Sequence, residues 1–251
     1  TSDSIQTGTL SAIEPVKKRT GEVYDLKPKI DIPIVAVGTG WSLYAFSKIY
    51  SKDSSTTAKI LSLDKNNIPS FDRWATKHFD DLAWKSGNEF FYGSMPLPVV
   101  VGLLDKRIRK DFFKVMFLYW EAMSITGFLY TGSVYLNDRY RPYAYNPDVD
   151  MKIRTRGGAK NSFYAGHVAL VATASFFTAT VWNDYHPDSK IKWLTYGLAG
   201  ATTAAVAYKR LIAGQHFPSD ILLGIAQGTL TGILVPRLHK NKFINEHISI
   251  T

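Results

Sequence analysis

The chain has 251 residues, enough for one large domain with a substantial core. Hydrophobic residues make up 45%, charged residues 20% and aromatics 14%, which excludes disordered, collagen-like and coiled-coil classes. A formal charge of +9 and a pI near 9.5 point to an anionic partner, and the absence of cysteine excludes disulfides, thiolate metal sites and a cysteine nucleophile.

Residues 1–29 are polar, carry Lys17, Lys18 and Arg19 together, and read as an extended arm. A start at Thr1 rather than Met fits a removed leader or a shortened chain. Six apolar stretches follow, over residues 32–47, 90–104, 112–137, 161–183, 193–208 and 221–236. Each is long enough for a helix, and alternation of the strand type is nearly absent. The predicted fold is all-α: one six-helix bundle over residues 30–240, then a tail of residues 241–251.

A membrane-spanning helix needs about 20 consecutive apolar residues, and only the 161–183 stretch clearly has them. Charge placement argues further. The connector 105–110 carries Lys106, Arg107, Arg109 and Lys110, and the tail adds Arg237, Lys240 and Lys242. The long connector 51–93 instead balances six basic against six acidic residues. Six crossings from an inside N-terminus put both basic segments in the cytoplasm. An integral membrane protein is the expectation; the alternative, favoured by a mean hydropathy of −0.09, is a soluble periplasmic bundle.

Chemistry-bearing residues collect at the ends of the apolar stretches. His216 and Asp220 stand four apart across Pro218 and Ser219, which suit a helix start, so the carboxylate can orient one ring nitrogen and leave the other as a nucleophile. Alone, the pair reads first as a helix-end capping contact. His167 follows Gly166 in the first turns of the fourth stretch, after Asn161 or Ser162 as N-cap, where free backbone amides attract an anion and a histidine can protonate a leaving oxygen. Arg141 lies in a basic cluster with Arg139, Arg154, Arg156 and Lys160, and Arg210 sits beside Lys209; arginine suits bidentate contact with phosphate. No basic stripe is interleaved with aromatics, so nucleic acid is not an expected partner.

Taken together, Arg141-Pro142, then Tyr164-Ala165-Gly166-His167, then Lys209-Arg210 followed after five residues by His216 and after three more by Asp220, resemble the three motifs of the type 2 phosphatidic acid phosphatase superfamily. That superfamily also holds bacterial class A acid phosphatases and vanadium haloperoxidases. The resemblance covers residues 94–236 and implies that His216 accepts the phosphoryl group, Asp220 orients it, His167 is the general acid, and Arg141 and Arg210 clamp the oxyanion with help from the Gly166 amide. It implies a phosphatase without metal or other cofactor, acting on a phosphomonoester or pyrophosphate, lipid-linked or soluble. The third stretch carries the chain from the basic connector 105–110 to Arg141, so the site is expected on the extracytoplasmic face. Two alternatives remain from the sequence: a vanadium-dependent haloperoxidase, or a silent phosphate- or phospholipid-binding membrane protein.

Four positions depart from the motifs: Val134 where the family has a phosphate-binding lysine, Tyr164 for proline, Ala165 for serine, and Lys209 for serine. A missing charged donor typically costs about 10²–10³ in rate. Lys160 first, and Arg139 second, are therefore expected to turn a compensating charge toward the phosphate.

Overall fold

The computed structural model describes residues 22–86 and 88–241; residues 17–19 and Lys242 lie outside them. Its α-helices are α1 (Pro28–Tyr50), α2 (Thr57–Leu61), α3 (Ser70–Arg73), α4 (Asp81–Ser86), α5 (Glu89–Ser94), α6 (Leu97–Leu104), α7 (Phe112–Leu136), α8 (Met151–Arg154), α9 (Gly166–Tyr185), α10 (Lys192–Ile212) and α11 (Pro218–Leu238). Among the described residues the only β-type pairs are the isolated bridges Tyr24–Lys240 and Arg139–Asn161. The all-α expectation holds.

Five of the six apolar stretches form long helices. The second breaks into α5 and α6, because Pro96 and Pro98 cannot donate the backbone bonds that would join one helix to the next turn. The fourth begins at Gly166, five residues later than the apolar run: residues 161–165 spend their polar groups on the neighbouring segments, with Ser162 N donating to Arg139 O (3.0 Å) and Ala165 N to Asp220 O (3.2 Å). Ala165, rather than Asn161 or Ser162, occupies the N-cap position.

α9 is the axis of the bundle, with 14 of its 20 residues buried. It is apolar because it is central. Its closest partner is α11, which presents Gly224, Gly228 and Gly232 at a four-residue spacing. A Cβ on Gly228 would lie 2.2 Å from Ala169 O, and one on Gly232 2.7 Å from Thr173 O, so the two backbones meet with nothing between them. α1 and α7 approach in the same manner and run parallel: Gly38 faces Ser124, and Gly127 faces Ser42 Oγ at 2.7 Å from its would-be Cβ.

Three helical segments are long and apolar enough to cross a bilayer, Pro28–Tyr50, Ile108–Leu136 and Pro218–Leu238. Their outward faces are apolar as well: Val37 is 63% exposed, Leu43 68% and Leu230 57%. Such a surface has hydrocarbon as its solvent, and the chain is an integral membrane protein rather than a soluble bundle. α1, α7 and α10 run one way, and α9 and α11 the other. One end gathers the start of α1, the 105–110 connector and the end of α11; the other gathers the end of α7 and the starts of α9 and α11. The 20 residues of α9 separate the two ends by about 30 Å. Residues 22–27 are docked at the first end, where Tyr24 is fully buried and Glu22 pairs with Lys114 Nζ (2.7 Å).

Close backbone contact makes α11 intolerant of side chains on one face only. Gly228→Ala should destabilise the protein by about 1–3 kcal/mol through overpacking against α9. Gly200→Ala on α10, whose Cβ would meet nothing within 4 Å, should stabilise it by about 0.5–1 kcal/mol. Thermal unfolding in detergent reads both; equal shifts would contradict this packing.

Candidate active site

The site is assembled from three chain segments that the bundle brings together at the second end. From the turn between α10 and α11 comes His216, 1% exposed. That turn closes through Gly214, at φ +63°, whose would-be Cβ lies 2.4 Å from His78 O; a side chain is excluded both by conformation and by space. Tyr143 N then binds Gly214 O (3.0 Å), fastening the turn to the segment after Arg141.

The Nδ1 atom of His216 lies 2.7 Å from Ser162 O. A carbonyl only accepts, so Nδ1 carries the proton and Nε2 keeps its lone pair. Nε2 is buried and has no hydrogen-bond partner among the described residues. Burial, reinforced by the charge of Arg141, holds the imidazole well below the ordinary histidine range, so the ring stays neutral.

Asp220 does not touch the His216 ring, contrary to the expectation from the H-x-x-x-D spacing. Its Oδ2 accepts from Ser162 Oγ (2.6 Å) and Phe217 N (3.0 Å), and its Oδ1 pairs with Arg139. The reason is local: Asp220 is the third residue of α11 and turns back to cap its own helix. It reaches the histidine through Ser162, whose hydroxyl it holds and whose carbonyl holds the ring.

Arg139 is likewise placed differently from expectation. Its charge is engaged by carboxylates: Nη2 pairs with Asp72 (2.7 Å), Nη1 with Asp220, and the guanidinium lies 4.4 Å over the Phe217 ring. Asp72 also accepts from Ser219 N (2.9 Å) and Ser219 Oγ (2.6 Å). Lys160 Nζ is 4.0 Å from Asp138, which also pairs with Lys52 (2.7 Å); Lys52 in turn donates to Val134 O (2.8 Å) at the end of α7. Neither expected compensating cation is directed at the His216 ring.

Arg141 and Arg210 do converge. Both donate to the same acceptor, Gln215 Oε1, at 3.1 and 2.8 Å, and Arg210 also reaches Asn88 Oδ1 at 2.6 Å. The fields of both guanidiniums reach His216 and His167. His167 is the second residue of α9, its ring 4.9 Å from that of Phe91. The preceding Gly166 admits no side chain, since its would-be Cβ falls 2.3 Å from the Tyr130 ring. Lys209 is turned away, onto Ser86 Oγ (2.7 Å).

Three residues enter the site without having been singled out in the sequence, Gln215, Asp72 and Asn88, and Ser162, expected only as an N-cap, enters it as the partner of His216 and Asp220. Gln215 adjoins His216, but an amide beside a histidine carries no signal by itself. Asp72 and Asn88 lie in the balanced connector, 67 residues before Arg139 and 122 before Arg210, the groups they hold.

A family model described as the PAP2 superfamily matches residues 116–244, a range that contains Arg139, Arg141, His167, Arg210, His216 and Asp220. Lipid A 4'-phosphatase of Porphyromonas gingivalis is 30% identical over 105 residues, spanning 40% of this chain and 40% of that relative. A crystal structure of a transmembrane PAP2 type phosphatidylglycerolphosphate phosphatase from Bacillus subtilis aligns with 88% of this chain and 97% of its own, at 20% identity and a TM-score of 0.47.

The neutral state of His216 has a consequence for stability. Below about pH 6.5 an unfolded histidine takes up a proton that the buried one refuses, so the unfolded chain binds more protons and stability rises with pH through that window. The thermal midpoint should therefore fall between about pH 6.5 and 5, and His216→Gln should flatten that fall. An unchanged slope would contradict the buried neutral ring.

Proposed function

As the chain belongs to the PAP2 superfamily, we propose that it is a lipid-phosphate phosphatase that works without a metal, through a phosphohistidine at His216. One observation carries this reading: a buried, neutral imidazole with its Nε2 lone pair unpartnered, beside two arginines held on a single glutamine oxygen. That arrangement suits a tetrahedral dianion, with the arginines on its equatorial oxygens and the ring in line with the leaving group.

In the first step Nε2 donates its lone pair to phosphorus. The P–N bond forms as the bond to the leaving oxygen breaks, and that oxygen takes a proton from His167. The proton stays on Nδ1, donated in a hydrogen bond to Ser162 O, so the positive charge developing on the ring is stabilised by the Ser162–Asp220 pair behind it. In the second step His167 removes a proton from water, the oxygen attacks phosphorus, and the P–N electron pair returns to Nε2 as phosphate departs. Arg141, Arg210 and the amides at the start of α9 neutralise the equatorial oxygens in both steps.

The lipid character of the substrate rests on the apolar outer faces of the bundle and on the lipid named in the P. gingivalis relative. Lys106, Arg107, Arg109, Lys110 and Arg237 at the end remote from His216 support, by the positive-inside rule, a site that faces the extracytoplasmic side.

Chelated protein should release phosphate from at least one of lipid A, undecaprenyl pyrophosphate, phosphatidic acid or a soluble phosphoester. His216→Ala should lower release by about 10³ or more, and Arg141→Ala by about 10²–10³. With labelled substrate, His167→Ala should accumulate an acid-labile, alkali-stable phosphoenzyme that is absent from His216→Ala. Release that survives His216→Ala, or no release from any of the four, would overturn the proposal.

A further inference from the structure

At the first end of the bundle, about one helix length from His216, lies a second buried polar cluster: Asp31 on α1, Glu121 on α7 and His239 just past α11. They are 1%, 3% and 6% exposed. One ligand atom from each, Asp31 Oδ1, Glu121 Oε2 and His239 Nε2, lies within 4.8 Å of the others. All three atoms are buried without a hydrogen-bond partner among the described residues. Nε2 stands 3.2 Å from the aspartate oxygen and 3.7 Å from the glutamate oxygen.

The histidine is already oriented. Its Nδ1 lies 2.8 Å from Val235 O, and since a carbonyl only accepts, Nδ1 carries a proton and Nε2 is the ring atom turned to the two carboxylates. Two buried carboxylate oxygens and a ring nitrogen this close together need a positive charge among them. The nearest lysine does not serve: Lys27 gives its backbone N–H to Asp31 Oδ2 and its Nζ to Leu238 O. In the form that binds a metal, two ionised carboxylates and an unprotonated ring, the three would carry a charge of −2, which one divalent cation cancels at a depth where uncancelled charge is costly.

We propose that Asp31, Glu121 and His239 bind one divalent cation of the zinc class. Tetrahedral bonds of about 2.0–2.1 Å place ligand atoms roughly 3.3 Å apart, close to the 3.2 and 3.7 Å found here. The set of one imidazole and two carboxylates suits zinc, whereas calcium demands six to eight oxygens. The bond from Nδ1 to a backbone carbonyl is the usual support behind a metal-bound histidine. Water completes the fourth position. The cation joins α1, α7 and α11 at the end away from the phosphatase site, so its role is structural.

Full-length protein in detergent, stripped with a chelator and then given zinc alone, should take up one equivalent and gain about 5–10 °C in thermal midpoint. His239→Gln and Glu121→Gln should abolish both effects, and wild type loaded with cobalt should show the visible absorption of a tetrahedral site. Phosphate release by the stripped protein, measured well below its midpoint, should equal that of the loaded protein, which separates this site from the catalytic reading. No stoichiometric uptake by wild type, or uptake equal in both variants, would overturn the proposal and leave an ion cluster among the three helices.

Discussion

The carboxylate of Asp220 is fully buried, and the arrangement of the catalytic end follows from how its charge is satisfied. Four groups meet it: the Phe217 amide, the Ser162 hydroxyl and the Arg139 guanidinium directly, and Asp72 through Arg139. These come from four separate stretches of chain, and removing one partner from such a cluster typically costs about 3–5 kcal/mol. The cluster thus fixes the start of α11 against the approach to α9 and the end of α7. The Ser162 carbonyl, delivered by the same residue that binds Asp220, sets the tautomer of His216. Nucleophile orientation is in this way a product of packing a buried charge rather than a separate contact.

Small residues make that geometry reproducible. Gly224, Gly228 and Gly232 let α11 rest on the backbone of α9, and Gly166 lets α9 start beneath Tyr130. His216 and His167 sit at the adjoining ends of these two helices. A reacting phosphoryl group needs its nucleophile and acid held to a fraction of an ångström, and a seam with no side chains between backbones has little room to slide. The opposite end is secured by other means, through buried Tyr24, the Glu22–Lys114 pair and the Asp31–Glu121–His239 cluster.

Much of this was legible in the sequence, for identifiable reasons. Long apolar runs without alternation gave the all-α bundle, and the order of arginine, glycine-histidine and arginine-histidine-aspartate pointed to one site. Where the reading failed, tertiary partners outweighed spacing. The four-residue step from His216 to Asp220 suggested direct contact, yet a residue in the first turn of a helix caps that helix first. Arg139 and Lys160 were basic and near the motifs, but sequence distance says nothing about acidic partners, and Asp72 and Asp138 claim them. Pro96 divided the second stretch in a way that its hydrophobicity concealed. The longest charge-free run, residues 161–183, proved central, with 14 of the 20 residues of α9 buried, because burial in protein and burial in lipid favour the same residues.

The central claim is that His216 Nε2 is the atom that meets phosphorus, with Arg141 and Arg210 on the equatorial oxygens. A structure of the protein with orthovanadate, which adopts the five-coordinate shape of the transferring phosphoryl group, tests it most directly. The account requires vanadium at covalent distance from His216 Nε2, both guanidiniums on its equatorial oxygens and His167 at the apical oxygen opposite. Vanadate bound without contact to His216, or a His216 ring turned so that Nδ1 faces the ligand, would contradict it.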